Sequence, residues 1–214
     1  MTSLPFFAFM DGIRIKSRRG RGGVVENIRF DNWTMENVGT AIDVTNYYLM
    51  EGETRTTGKQ PVSKQAPVFR NIGISNVTVD RAKVLIDIEG LPEMPIEGLH
   101  IHHVMGSGNV GLRANYTDDL ELRSIQLEPA TGPAFQIQHS ANLEVDDVSN
   151  RKPLPDTPVI QLKTSPGAII RNCRAFPGTS VFLSARSEEM KTLLMNGNFW
   201  GNAQKAEEEI SDRK

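Results

Sequence analysis

An apolar residue, any residue, a second apolar residue, two polar residues and a further apolar one: this order returns along most of the chain. It reads Asn27-Ile28-Arg29-Phe30-Asp31-Asn32-Trp33, Asn71-Ile72-Gly73-Ile74-Ser75-Asn76-Val77 and Gly98-Leu99-His100-Ile101-His102-His103-Val104. It continues as Asp119-Leu120-Glu121-Leu122-Arg123-Ser124-Ile125 and Asn142-Leu143-Glu144-Val145-Asp146-Asp147-Val148, and weakens at Ala168-Ile169-Ile170-Arg171-Asn172-Cys173. Between the copies lies a second family of short segments with two apolar positions one residue apart. Ile15, Val44, Ile88, Leu112, Ile137, Leu162 and Leu183 align as its equivalents. Their spacing is even except between Val44 and Ile88, where one step is nearly twice as long as most of the others.

Alternation of this kind is the period of a strand, with apolar side chains on one face and their neighbours on the other. A repeat with a period of roughly 20 to 50 residues means units that cannot bury their apolar face alone and must stack. The expected fold is all-β, a right-handed parallel β-helix of about seven rungs in one domain, 1–214. Residues 1–11 are expected to be an irregular amino-terminal segment, 49–66 a long polar loop on the solenoid rim, and 203–214 a charged tail forming a short frayed helix. The second strand family then presents one continuous outward face: Arg14 and Lys16, Asp43 and Thr45, Asp87 and Glu89, Arg113 and Asn115, Gln136 and Gln138, Gln161 and Lys163. Such a face suits an extended, polyhydroxylated or charged polymer, and equally suits a plain solvated sheet.

Charge adds little to this picture. Twenty-four basic and 26 acidic residues leave a net charge of −2, so there is no general pull toward nucleic acid or an anionic membrane. The local exception is Lys16, Arg18, Arg19 and Arg21, readable as a solvated turn or as an anion-binding lip. Cys173 is the single cysteine and sits on the apolar side of the repeat, where it reads as a small core residue. Residues Leu4 to Met10 are apolar without the cationic start or small-residue cleavage site of a signal peptide. No run approaches the roughly 20 apolar residues needed to cross a bilayer.

The segment Gly12-Ile13-Arg14-Ile15-Lys16-Ser17-Arg18-Arg19-Gly20-Arg21-Gly22-Gly23-Val24-Val25-Glu26-Asn27-Ile28 resembles the arginine-isoleucine-lysine region of glycoside hydrolase family 28, the polygalacturonases and related pectin hydrolases. Phe30-Asp31-Asn32-Trp33-Thr34-Met35 and Pro67-Val68-Phe69-Arg70-Asn71-Ile72-Gly73-Ile74-Ser75-Asn76-Val77-Thr78 are similar to the same family. The resemblance implies the single-stranded solenoid of the pectin-lyase-like class. It also implies a uronic-acid polysaccharide as partner, with Arg14 and Lys16 holding the sugar carboxylate and a tyrosine one rung later shaping the site. Tyr47 matches that tyrosine best, with Tyr48 second. Proteins of this family are usually secreted or periplasmic.

Family members carry their catalytic acids upstream of this motif, in an Asn-Thr-Asp segment, an Asp-Asp pair and a Gly-His-Gly segment. None of these occurs ahead of Gly12, so the chain resembles the carboxy-terminal part of such an enzyme and is expected to be inactive as given. Asp118-Asp119 and Asp146-Asp147 read as solvated corners. Asp87 and Glu89 share the outward face about 7 Å apart, within the roughly 6.5–9.5 Å separation of inverting glycosidases, and are the candidate catalytic pair. His100 and His102 project from one strand face. With no third ligand evident they read as surface residues, and neither a metal nor another cofactor is expected. Asn32, Asn76 and Asn115 head Asn-x-Ser/Thr sequons, which matter only in a eukaryotic secretory pathway. The competing function is a non-catalytic β-helix that binds polysaccharide or a protein partner. A calcium-dependent lyase built on Asp43, Asp87, Glu89 and Arg113 is a third, weaker reading.

Overall fold

The structure is a computed structural model and describes residues 10–49, 52 and 54–210. Ten strands and one helical turn follow in order: β1 (Ile13–Lys16), β2 (Val24–Thr45), β3 (Val68–Glu89), β4 (Ile96–Ala141), β5 (Glu144–Ser149), β6 (Pro158–Lys163), β7 (Ile169–Arg171), β8 (Thr179–Ala185), α1 (Ser187–Met190), β9 (Leu194–Asn196) and β10 (Ala203–Glu209). Every pairing between these strands is parallel, in one continuous solenoid of about seven turns, a parallel β-helix.

Single residues in the left-handed conformation explain the repeat. Asn27, Asn71, Gly98, Asp119 and Asn142 occupy one corner of successive rungs, and Asn32, Asn76, His103, Ser124, Asp147 and Asn172 the next, all with φ between 50° and 61°. Asn and Asp tolerate this region because their short polar side chains bond locally. Each copy of the motif is therefore a short strand held between two corners, and its pair of polar positions is one outward strand residue plus one corner residue. The apolar positions point inward and form columns such as Ile28, Ile72 and Leu99 or Phe30, Ile74 and Ile101. Ile72, Ile74, Leu99, Ile101, Leu122 and Val145 are essentially inaccessible. Each such side chain contributes about 1.5–3 kcal/mol on burial. Gly111 marks a tight inter-rung approach, since a Cβ there would stand 2.3 Å from the Ala134 carbonyl oxygen.

Strand β1 covers only the last part of β2, pairing Ile13 with Ile42 and Lys16 with Thr45. Over the first part of β2 no described strand lies, so Trp33 is 42% exposed and Val24 55% exposed, whereas Val77, the partner of Trp33, is 1% exposed. Among the described residues this part of β2 is an open edge; Leu4 to Phe9 lie outside the described residues, and Met10 is exposed.

The sequence-based register needs two corrections. Ile88 pairs with Ala114, and Leu112 with Ile86; Leu183 pairs with Ile160 rather than Leu162. Both slips are by an even step, which preserves facing. Alternate inward positions are occupied by a leucine and an alanine, Leu112 with Ala114 and Leu183 with Ala185, and size alone points to the wrong one. The tail is corrected as well: 203–209 is strand β10, not a helix, and pairs with β8 from Ala203↔Thr179 to Glu209↔Ala185. The hydrogen-bonding edge of β8 supplies partners that outweigh the helical preference of an alanine- and glutamate-rich segment. Cys173 is buried in the core as expected, and burial pushes its thiol up to about 12.

Candidate functional site

The outward face of the second strand family carries two columns. Arg14, Asp43, Asp87 and Arg113 stand over one another on successive rungs, and beside them Lys16, Thr45, Glu89 and Asn115. Neighbouring parallel strands lie about 4.8 Å apart, so charges in a column meet directly. The Arg14 guanidinium reaches the Asp43 carboxylate at 2.9 Å and Asp11 at 2.6 Å. Arg113 donates two bonds to Asp87, at 3.2 and 2.6 Å. Arg55, from the rim loop, pairs with Glu89.

Ile13, Ile15, Ile42 and Val44 are buried while Arg14 and Lys16 are exposed, as the alternation requires. The tyrosine against the two cations is Tyr48. Its ring lies 3.8 Å below the Lys16 ammonium and 5.5 Å from the Arg14 guanidinium. Tyr47, the residue the sequence favours for that position, instead packs against Arg55 at 4.2 Å and Arg19 at 5.3 Å. Both tyrosines line a cavity of about 300 Å³ between the rung and the rim loop, together with Arg18, Arg19, Asn46, Thr54, Thr56 and Gln60. Asn46 is 1% exposed, and neither atom of its amide has a hydrogen-bond partner among the described residues. A buried amide without partners is costly, and Asn46 lies on the cavity wall.

The basic cluster divides by role. Arg19 is internal to the structure: its guanidinium bonds the Glu93 carboxylate at 2.6 and 2.9 Å and donates to the carbonyls of Thr56 and Gly58. That Arg19 bond is the main cause holding the Glu93 carboxyl below its ordinary range. Glu93 also accepts from the Gln60 amide, so one ion pair fastens the rim loop down. The glycine-rich turn closes the other side, with the amides of Gly20 and Gly22 both donating to the Gln65 carbonyl.

Among these acids Asp43 is chemically distinct. Burial is the largest influence on it and, together with the charges of Asp87 and Asp11, outweighs Arg14 and Lys16, raising its pKa to about 6. A carboxyl poised there exchanges its proton near neutrality. Asp87 and Glu89 share the face as anticipated, each against a guanidinium, and line a second groove of about 290 Å³ with Arg55, Arg113, Asn115 and Gln136. Sequence reasoning ranked Tyr48 second to Tyr47, and missed Asn46, the Arg19–Glu93 fastening and the raised pKa of Asp43. The rung register would have placed Asp43 between Arg14 and Asp87; the other three depend on the path of the rim loop.

A family model described as glycosyl hydrolases family 28 matches residues 7–109, which include Arg14, Lys16, both tyrosines and the rim loop. No curated protein and no solved structure matches the chain significantly.

Proposed function

Residues 7–109 match the model of glycosyl hydrolases family 28, and on that premise we propose that the Arg14–Lys16 face binds a uronic-acid polysaccharide of the pectic type. The observation that carries this reading is the placement of two exposed cations on alternate positions of β1, both against the Tyr48 ring and beside a polar cavity. Cations about 7 Å apart match the carboxylate and ring edge of one anionic sugar. An arginine gives that carboxylate two parallel bonds and a lysine a point charge. Asp43 sets the strength of the grip, because its ionised form competes with the uronate for Arg14.

Hydrolysis needs a protonated acid on one side of the glycosidic bond and a base on the other. Asp87 and Glu89 lie two residues apart on one strand face, about 7 Å, but each is held by a guanidinium rather than left open to a glycosidic oxygen. We therefore propose that these residues bind the polymer without appreciable turnover, as a substrate-binding element of polygalacturonase type.

The test combines binding and turnover. Binding of an oligogalacturonate, followed calorimetrically, is expected to weaken by more than about 10-fold in an Arg14→Ala, Lys16→Ala double variant and to weaken with added salt in the parent. Equal affinity in parent and variant would refute the site. In a reducing-sugar assay, turnover that vanishes in an Asp87→Asn, Glu89→Gln double variant would make those carboxylates the catalytic pair and overturn the binding-only reading.

A further inference from the structure

The solenoid carries a second polar cluster, on the strand family that does not bear Arg14 and Lys16. His100 and His102 occupy alternate positions on β4, so both imidazoles leave the same face. On the following rung, the side chain of Glu121 comes between them. The Glu121 Oε2 is 2.8 Å from His100 Nδ1 and 3.4 Å from His102 Nε2, and the three atoms all fall within 4.8 Å of one another. In the sequence the histidine pair has no evident third ligand; the stacking of rungs supplies it, from the next copy of the motif.

We propose that His100, His102 and Glu121 form a binding site for a borderline transition-metal cation of the zinc class. Two imidazole nitrogens and one carboxylate oxygen are the donor set such ions take, with bonds of about 2.0–2.2 Å and a fourth position left open to water or ligand. Donors around a tetrahedral ion at those lengths stand about 3.3 Å apart, so rotations about the side-chain torsions suffice to close the triad. Two further features of the cluster favour a cation. His102 Nε2 is shielded from solvent and, although 3.4 Å from Glu121 Oε2, makes no hydrogen bond among the described residues. Glu121 is also oriented from behind: the Arg123 guanidinium bonds its other oxygen, Oε1, at 2.7 Å, turning Oε2 toward the imidazoles. Oriented ligating carboxylates of this kind are a regular part of metal sites.

The Arg123 charge does not oppose the ion uncompensated. Glu144 and Asp146, on the next rung, stand 3.7 Å from the guanidinium, and both pair with Arg171 as well. On the preceding rung the partners of His100 and His102 are Gly73 and Ser75, neither charged. A bound ion would therefore clamp two adjacent rungs across β4, on a face separate from the sugar-binding columns, and its occupancy is independent of the proposed polysaccharide site.

Zinc itself is the probe. The purified chain, stripped with chelator, is titrated calorimetrically with Zn²⁺ and, in parallel, with Co²⁺ while its visible absorption is recorded. One ion per chain is expected, with the intense visible bands of a four-coordinate cobalt site. Mg²⁺ and Ca²⁺, which prefer all-oxygen cages, are expected to leave the protein unbound at the same concentrations. His100→Gln, His102→Gln and Glu121→Gln should each lower zinc affinity beyond the roughly 10- to 100-fold lost when a residue that merely orients a ligand is removed. His103→Asn is the control: His103 occupies a corner with φ 53°, where other rungs carry Asn32 and Asn76, so the variant keeps the fold and the affinity. The melting temperature of the parent should rise with zinc, and that of the Glu121→Gln variant should not. Zinc affinity equal in the parent and in folded His102→Gln or Glu121→Gln protein overturns the site. Absence of four-coordinate cobalt bands in the parent overturns it too, whatever the variants do.

Discussion

Replacing Asp43 by asparagine removes one proton-binding group from the middle of the charged column and leaves its shape. In the folded chain this carboxyl titrates at about 6, against 3.8 when solvated. The folded state thus holds the proton more tightly, so the contribution to stability is complete below about pH 3.8 and is lost as pH rises through about 6. That difference corresponds to roughly 3 kcal/mol in total, of which about 2 kcal/mol disappears between pH 4.5 and 7.5. Urea denaturation of the parent and of Asp43→Asn at those two pH values isolates the group, because all other titrations are common to both proteins. At a slope of about 2–3 kcal/mol per molar, the parent midpoint should fall by up to about 1 M more than that of the variant on going to pH 7.5. Parent and variant that respond to pH in parallel would show that the Asp43 carboxyl is solvated or fully compensated by Arg14, and the burial account of its pKa would fall.

Two further outcomes are expected. Arg19→Ala breaks the fastening of the rim loop to Glu93 and to the Thr56 and Gly58 carbonyls, so limited proteolysis within 54–60 should accelerate while the melting temperature of the solenoid moves little; unchanged cleavage would mean the loop is held by other contacts. Phe135→Ala empties a fully buried position between rungs and should cost about 3–5 kcal/mol in denaturation experiments, whereas a loss under about 1 kcal/mol would mean that the core collapses around the gap.

The solenoid is legible in the sequence because burial of a strand face enforces period two, and stacking enforces the repeat in copy after copy. Alternation alone turns Ile13, Ile15, Ile42 and Val44 inward and Arg14 and Lys16 outward, and the structure has them so. Register is harder. Ala114 and Ala185 line the interior as surely as Leu112 and Leu183, yet a small side chain carries little hydropathic signal, and columns read from size slip by two. The tail fails for the reverse reason: the preference of Ala203–Glu209 for a helix is local, while the open edge of β8 that captures it is a tertiary feature. At the candidate site, positions on strands are readable and positions on the loop are not. Tyr47 and Tyr48 are adjacent past the end of β2, where the chain leaves the pleat and alternation no longer says which ring turns toward Lys16. Glu121 joins the two histidines only once the rung spacing is known.

The rim loop has a consequence for how such a molecule can diversify. Strands β2 and β3 keep one offset from Val24↔Val68 to Thr45↔Glu89, so a constant register runs from the first pair to the last. The next rung closes with far fewer residues, Ile86 pairing with Leu112. The surplus is absorbed wholly at one corner, without disturbing a single ladder bond on either side. That corner behaves as a socket, and a segment of another length or chemistry can be seated in it at the entropic cost of a longer surface loop, which grows slowly with length. Ligand preference can then drift by exchange of one cassette while the frame that displays Arg14 and Lys16 stays fixed.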